Sequence, residues 1–156
     1  MSEERYILVI ADGSKEMDVA LQYACARSKK TNRKIIIATF IEPLDVLTTQ
    51  GVTEIMQNEA REEAEKNLQN AASLVKKSTG LMPVLQIREG EIMKELKTLI
   101  DEEKNINVLV IAANVEEKDN PGPIINALVY SELSNFRIPV MIVPGNFSKE
   151  HIALIT

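Results

Sequence analysis

Apolar positions along this chain of 156 residues fall into two patterns. Five short runs predict strands: Tyr6–Ala11, Ile35–Ile41, Val84–Ile87, Val108–Ala113 and Val140–Val143. Four of them are near-continuous, as in IIIATFI and VLVIAA, without the polar alternation of a sheet that has one wet face. Continuous apolar strands are buried on both faces, the condition of a parallel sheet covered by helices. Between the runs the spacing changes to three and four residues, which predicts helices. Met17, Ala20, Leu21, Ala24 and Ser28 mark one over Met17–Lys30. Met56, Ala60, Ala64, Leu68, Ala71 and Val75 form a narrow stripe on a long one over Val52–Ser78. Ile92, Leu96, Leu99 and Ile100 mark a third over Glu91–Lys104. Ile125, Leu128, Val129, Leu133 and Phe136 mark a fourth over Ile124–Phe136, ahead of Pro139.

The elements alternate strictly, strand then helix, and neither a repeat nor a linker interrupts them. Right-handed crossovers then give one α/β domain, a doubly wound, Rossmann-like parallel sheet with helices on both faces. The domain is expected to span 1–145, with 146–156 as a C-terminal tail. In such folds ligands bind beyond the carboxyl ends of the strands, where the strand order reverses. Two loops should meet there, Asp12–Lys15 and Asn114–Pro123.

Composition narrows the function. The net charge is −5 and aromatic residues are 4%, with no tryptophan, so neither a polyanion nor a stacked single strand is favoured. No nucleic-acid partner is expected. The basic clusters, Arg27, Lys29, Lys30, Arg33 and Lys34, then Lys76 and Lys77, sit at expected helix ends, where cations complement exposed carbonyls. The acids Glu59, Glu62, Glu63 and Glu65 read as the solvated face of the long helix, not a metal site. No apolar run approaches the roughly 20 residues that span a bilayer, so no membrane role is expected. The opening MSEERYILVIADG stops its apolar run at Asp12 and reads as a strand rather than a signal peptide. One cysteine excludes an intrachain disulfide, and the chain is expected in the cytoplasm.

Particular residues then carry a likeness. The segment ILVIADGSKEMDVALQYACARS, a strand ending in aspartate followed by Gly-Ser and an Ala-Leu-x-x-Ala helix, resembles the opening of the universal stress protein family. IIIATFIEP resembles that family's second strand and IPVMIVPG its last. The likeness runs to about Gly145. It implies the adenine-nucleotide alpha-hydrolase-like fold, with strand order 3-2-1-4-5 and two helices on each face. It also implies an adenine side at Ala11, Asp12, Gly13 and Phe40. Asp12 has a simpler reading too, since Asp-Gly-Ser after a strand is an ordinary turn.

Members that bind ATP or AMP carry a fingerprint of Gly, two residues, Gly, nine residues, Gly, then Ser or Thr. Its glycines let backbone approach phosphate, and amides at the next helix N-terminus point at it. Aligned on IPV, the fingerprint falls on Ala113, Glu116, Asn126 and Ala127; aligned on the fourth strand, its first glycines fall on Ala112 and Val115. Neither register recovers a glycine. Glu116, Glu117 and Asp119 set negative charge beside any phosphate, against Lys118 alone. Gly122, between Pro121 and Pro123, joins this degenerate phosphate loop as a residue that could leave free amides near the start of the fourth helix. It also reads as a rigid turn, because two prolines remove donors.

The resemblance therefore implies a binding or regulatory module of the stress response that holds ATP weakly and needs no cofactor. The alternative is an ATP or AMP binder, with a divalent cation, that uses a divergent loop. An enzyme is not expected. Cys25 reads as core; His151, the lone histidine, leaves no metal cluster or triad; Ser14 has no nearby base; and ADGSKEMD lacks the loop of the related pyrophosphatases. The expected partners are an unidentified protein and a second copy of the chain. The fifth strand, Val140, Met141, Ile142 and Val143, should lie unpaired at the sheet edge, a template for a homodimer. Phe147, Ile152, Leu154 and Ile155 are expected to pack near that interface, with Ser148, Lys149 and Glu150 in solvent.

Overall fold

The computed structural model describes residues 4–43 and 50–156. Five strands, β1 (Tyr6–Ile10), β2 (Lys34–Ile41), β3 (Val84–Glu89), β4 (Ile106–Ala113) and β5 (Val140–Pro144), form one sheet. Its order is β3-β2-β1-β4-β5 and every pairing is parallel, as expected. β1 is central because its residues tolerate no water on either side: Leu8 and Val9 are both fully buried.

Alternate residues of each strand serve two separate cores. Ile7, Val9, Ile35, Ile37, Val108 and Val110 face α1 (Met17–Thr31) and α2 (Gln50–Thr79). Leu8, Ile10, Ile36, Leu109 and Ile111 face α3 (Ile92–Glu102) and α4 (Pro123–Ala127). Each fully buried Leu or Ile contributes roughly 1.5–3 kcal/mol relative to exposure. Only Ser28 and Thr39 are fully buried polar residues among those described. The sheet interior has no room for chemistry.

α1 buries Ala20, Leu21, Ala24, Cys25 and Ser28 in one stripe and ends at Asn32, whose left-handed backbone closes the helix on the Ser28 carbonyl. α2 is longer than the sheet is wide. Its 30 residues span about 45 Å at 1.5 Å per residue, whereas the strands it crosses hold five to eight residues. The stripe from Ala64 to Val75 packs on the sheet, while Met56 is exposed. The N-terminal half therefore overhangs the carboxyl ends of the strands.

Two expectations change. The fourth helix is not a regular one over Ile124–Phe136. After α4 the chain widens into a π turn, Leu128–Glu132, and tightens into a 3-10 turn, Leu133–Asn135. Ser131 donates its hydroxyl to the Ala127 carbonyl at 3.1 Å, a side-chain bond that competes with the helical ladder there. The end of the chain is also more than a tail. Lys149–Ile155 forms a further helix, α5, capped by Ser148, whose hydroxyl accepts the His151 amide. It docks on α1, burying Ile152, and the His151 ring meets Phe147 edge-on at 4.7 Å. No helix of the described residues is long and apolar enough to cross a membrane.

Cys25 lies within the α1 core, and burial pushes its thiol above the usual range. A thiol reagent at neutral pH should leave the folded chain unmodified and react fully once denaturant unfolds it. Rapid labelling of the native protein would contradict this packing.

Candidate functional site

The carboxyl end of the sheet opens into a crevice of about 340 Å³ between β1, β2 and the overhanging α2. Its lining includes Ala11, Asp12 and Phe40, three of the four residues assigned to the adenine side by resemblance. Gly13, the fourth, follows at once in the turn with φ +74°. A Cβ at Gly13 would come within 2.6 Å of Asn67 Nδ2, so the turn lies directly against α2. Asp12 Oδ1 accepts the Ser14 amide at 2.9 Å. That is the simple turn role, and Oδ2 has no hydrogen-bond partner among the described residues.

Sequence reasoning missed part of the wall. Thr39, Glu42, Glu63, Asn67, Ile92 and Ile124 complete it. Glu63 read as solvated face, yet Ala60, Glu63, Ala64 and Asn67 share one helix face by their three- and four-residue spacing. That spacing was the available signal. The lining carries Asp12, Glu42 and Glu63 and neither lysine nor arginine, so the crevice is acidic.

The positions assigned to the phosphate cradle do not converge on a free backbone surface. Ala113 closes β4, and its carbonyl accepts the Gly145 amide at 2.8 Å. Glu116 stands in the next loop. Gly122 precedes α4 with φ 131° and ψ 155°, a conformation essentially confined to glycine. Asn126 and Ala127 lie at the far end of α4 rather than at its start. The Asn126 amide is already given to the Gly122 carbonyl at 3.0 Å. The helix begins early because Pro123 sits at its first position, where the fixed φ suits a helix and the missing N–H costs nothing.

Four of the loop's own amides, those of Asn114, Glu116, Glu117 and Asn120, are occupied as well. Asn114 Oδ1 accepts the Glu116 amide at 2.8 Å and the Glu117 amide at 3.3 Å. The Asn114 amide donates to the Pro121 carbonyl at 3.0 Å, and the Asn120 side chain donates to Glu117 at 2.8 Å. Asp119 turns the chain with φ +64°. Across the crevice, Lys15 Nζ meets Glu116 Oε1 at 2.6 Å. The cation that answers Glu116 is therefore Lys15 rather than Lys118. Both partners are exposed, so the pair contributes little stability and mainly sets where the two loops stand. Among the described residues, no group of three or more His, Cys, Asp or Glu could hold a metal ion.

The chain matches the Universal stress protein family over residues 4–144. No curated protein matches it significantly by sequence. Among solved structures it resembles a universal stress protein from Lactobacillus plantarum, with TM-score 0.76, 14% identity, and 92% of this chain and 99% of that one covered. It also resembles a universal stress protein in complex with cAMP, at TM-score 0.62 and 22% identity, over 93% and 100% of the two chains. A third is the Archaeoglobus fulgidus universal stress protein in complex with dAMP, at TM-score 0.59 and 12% identity, over 92% and 99%. At these identities the structural likeness speaks for the fold alone.

Gly13→Ala should cost about 1–2 kcal/mol, the penalty of a left-handed backbone for a residue with a Cβ. Denaturant unfolding measures it. The Cβ contact with Asn67 adds to this penalty, so the loss should not fall below it.

Proposed function

Because the chain belongs to the universal stress protein family, we propose that it is a stress-response binding module that accepts an adenosine-like ligand without gripping a polyphosphate. The observation that carries this reading is the Asn114 side chain inside the loop. The Asn114 side chain takes the Glu116 and Glu117 amides, which a phosphate cradle would leave free. An amide spent on an internal acceptor can serve phosphate only by breaking that bond. The acidic crevice points the same way, since Asp12, Glu42 and Glu63 raise the cost of bringing in anions.

The crevice's size and partly apolar lining suit the nucleoside portion of a ligand. Two neighbours of this fold were solved with adenine monophosphates, cAMP and dAMP, which carry far less charge than ATP. This supports an adenosine or monophosphate reading over a triphosphate one. No chemical step is assigned to the site, where no nucleophile is paired with a base among the described residues.

Isothermal titration should show no ATP binding at micromolar nucleotide, with or without magnesium. Adenosine or AMP should raise the melting temperature at millimolar concentration, and Asp12→Ala should abolish that rise with folding unchanged. Submicromolar ATP affinity, or ATP carried through purification, would favour the divergent-loop alternative.

We further propose that the module works as a homodimer through β5. That strand lies at the sheet edge, with Met141 40% and Ile142 42% exposed and Val143 turned into the core. The segment leading into it carries exposed Val129, Tyr130 and Leu133. Such an apolar edge supports antiparallel pairing about a two-fold axis. Ile152 and Phe147 pack on their own subunit, while Leu154 and Ile155 stay exposed. Met141→Lys should shift the light-scattering mass from dimer to monomer. A wild-type monomer at high micromolar concentration would refute the dimer.

A further inference from the structure

The end of the sheet opposite the crevice carries a larger cavity, about 660 Å³, among the start of β1, the end of α1, the start of β2 and the end of α2. Its charged lining is Arg5, Lys29, Arg33 and Lys34 against the single carboxylate of Glu4. Glu4 is taken by Lys34 at 2.5 Å and by the Tyr6 hydroxyl at 2.8 Å. Arg5, Lys29 and Arg33 form no salt bridge or side-chain hydrogen bond among the described residues. In a chain of net charge −5, this is a concentrated reversal of sign.

Cations at helix ends commonly serve the last carbonyls. Here three carbonyls near those ends have other partners. The Arg33 amide donates to the Ser28 carbonyl, Thr31 Oγ1 to that of Arg27 at 2.7 Å, and Thr79 Oγ1 to that of Val75 at 2.8 Å. Lys76 alone does the expected work, donating to the Gly80 carbonyl at 3.0 Å. The helix dipoles leave charge over as well. Each C-terminus carries about half an elementary charge. The ends of α1 and α2 together therefore offset about one of the three surplus positive charges.

We propose that this basal cavity binds a compact phosphorylated small molecule carrying two or more negative charges. Arg5 and Arg33 supply planar forks suited to phosphate oxygens, and Lys29 adds a point charge. The volume lies within the range of small-ligand sites. The concave shape and the lack of aromatic lining disfavour a nucleic acid strand, and the net negative charge of the molecule disfavours any long polyanion. The two ends of the sheet are then complementary. A nucleoside suits the acidic crevice, and phosphate suits the basic cavity on the far side.

Inorganic pyrophosphate and adenosine are the two probes for an amide-resolved NMR titration of the full chain. Pyrophosphate should bind saturably, with a dissociation constant of about 1 mM or tighter, shifting amides of residues 28–34 and 79–81. Adenosine should leave those unmoved. Raising salt from about 50 to 300 mM should weaken pyrophosphate several-fold, because the groups are near the surface. The double variant R5Q/R33Q should lose at least about tenfold in affinity, the loss of two charge-assisted contacts, with an unchanged melting temperature. A titration that does not saturate, shifts centred on residues 113–123, or wild-type affinity in R5Q/R33Q would each overturn the proposal. If that variant melts early, Lys29→Gln, on the exposed helix surface, carries the same test.

Discussion

The structure depends on a parallel sheet that must be dry on both faces. Parallel ladders need helical crossovers, and the crossovers cover the sheet from both sides. Leu8 and Val9, adjacent in β1, are each fully buried but in different cores. A polar group placed on either would be left unsatisfied among its apolar neighbours. Chemistry is thereby confined to the two rims. Thr39, the one buried polar residue of the strands, sits near the carboxyl end of β2 and already lines the crevice. The polar surface begins where the ladder stops.

At the carboxyl rim, two uses of the same backbone compete. A loop of free amides is a receptor for an anion, while a loop whose amides have internal acceptors is a structural turn. The Asn114 oxygen occupies the position of such an acceptor and is present whatever the ligand concentration. Against it, the Lys15–Glu116 pair is a minor stabiliser, being exposed on both sides. What the pair changes is sign: the one lysine of the first loop is committed to a carboxylate. The pocket beneath, between β1, β2 and α2, does not depend on this loop's amides. A nucleoside-sized pocket can therefore stand whether or not the loop's amides are free.

The sheet order, the helices on each face and the crevice at the switch point were legible because they follow from local period and connection rules. The Lys15–Glu116 contact was not, since its partners are 101 residues apart and neither lies in a periodic segment. Glu63 and Asn67 were hidden by a reasonable rule applied one step too far. Polar residues on a helix usually face water, but α2 outruns its sheet, and beyond the strands the same helix face becomes the wall of a cavity. α5 had a local signal, Ser148 at the N-cap and Ile152 four residues on, within a segment too short for periodicity to register. The irregular turns after Ala127, where the Ser131 hydroxyl bonds the Ala127 carbonyl, have no signature in hydrophobic spacing.

The opposed charge of the two rims has a common cause in the fold. Every crossover helix runs against the strands, so helix N-termini gather at the carboxyl rim and C-termini at the amino rim. The dipoles favour acids at the first and bases at the second. Asp18 in the first turn of α1 and Glu95 in that of α3 answer the positive ends that would otherwise draw phosphate. Lys29 and Lys30 in the last turn of α1 answer its negative end. A sequence that completes both complements fully inverts the electrostatics of a phosphate-binding crevice. Arg5 goes beyond that complement, since it precedes β1, and Arg33, just past the end of α1, adds to the charge already placed there by Lys29 and Lys30. They bring positive charge to the amino rim in excess of what the helices require.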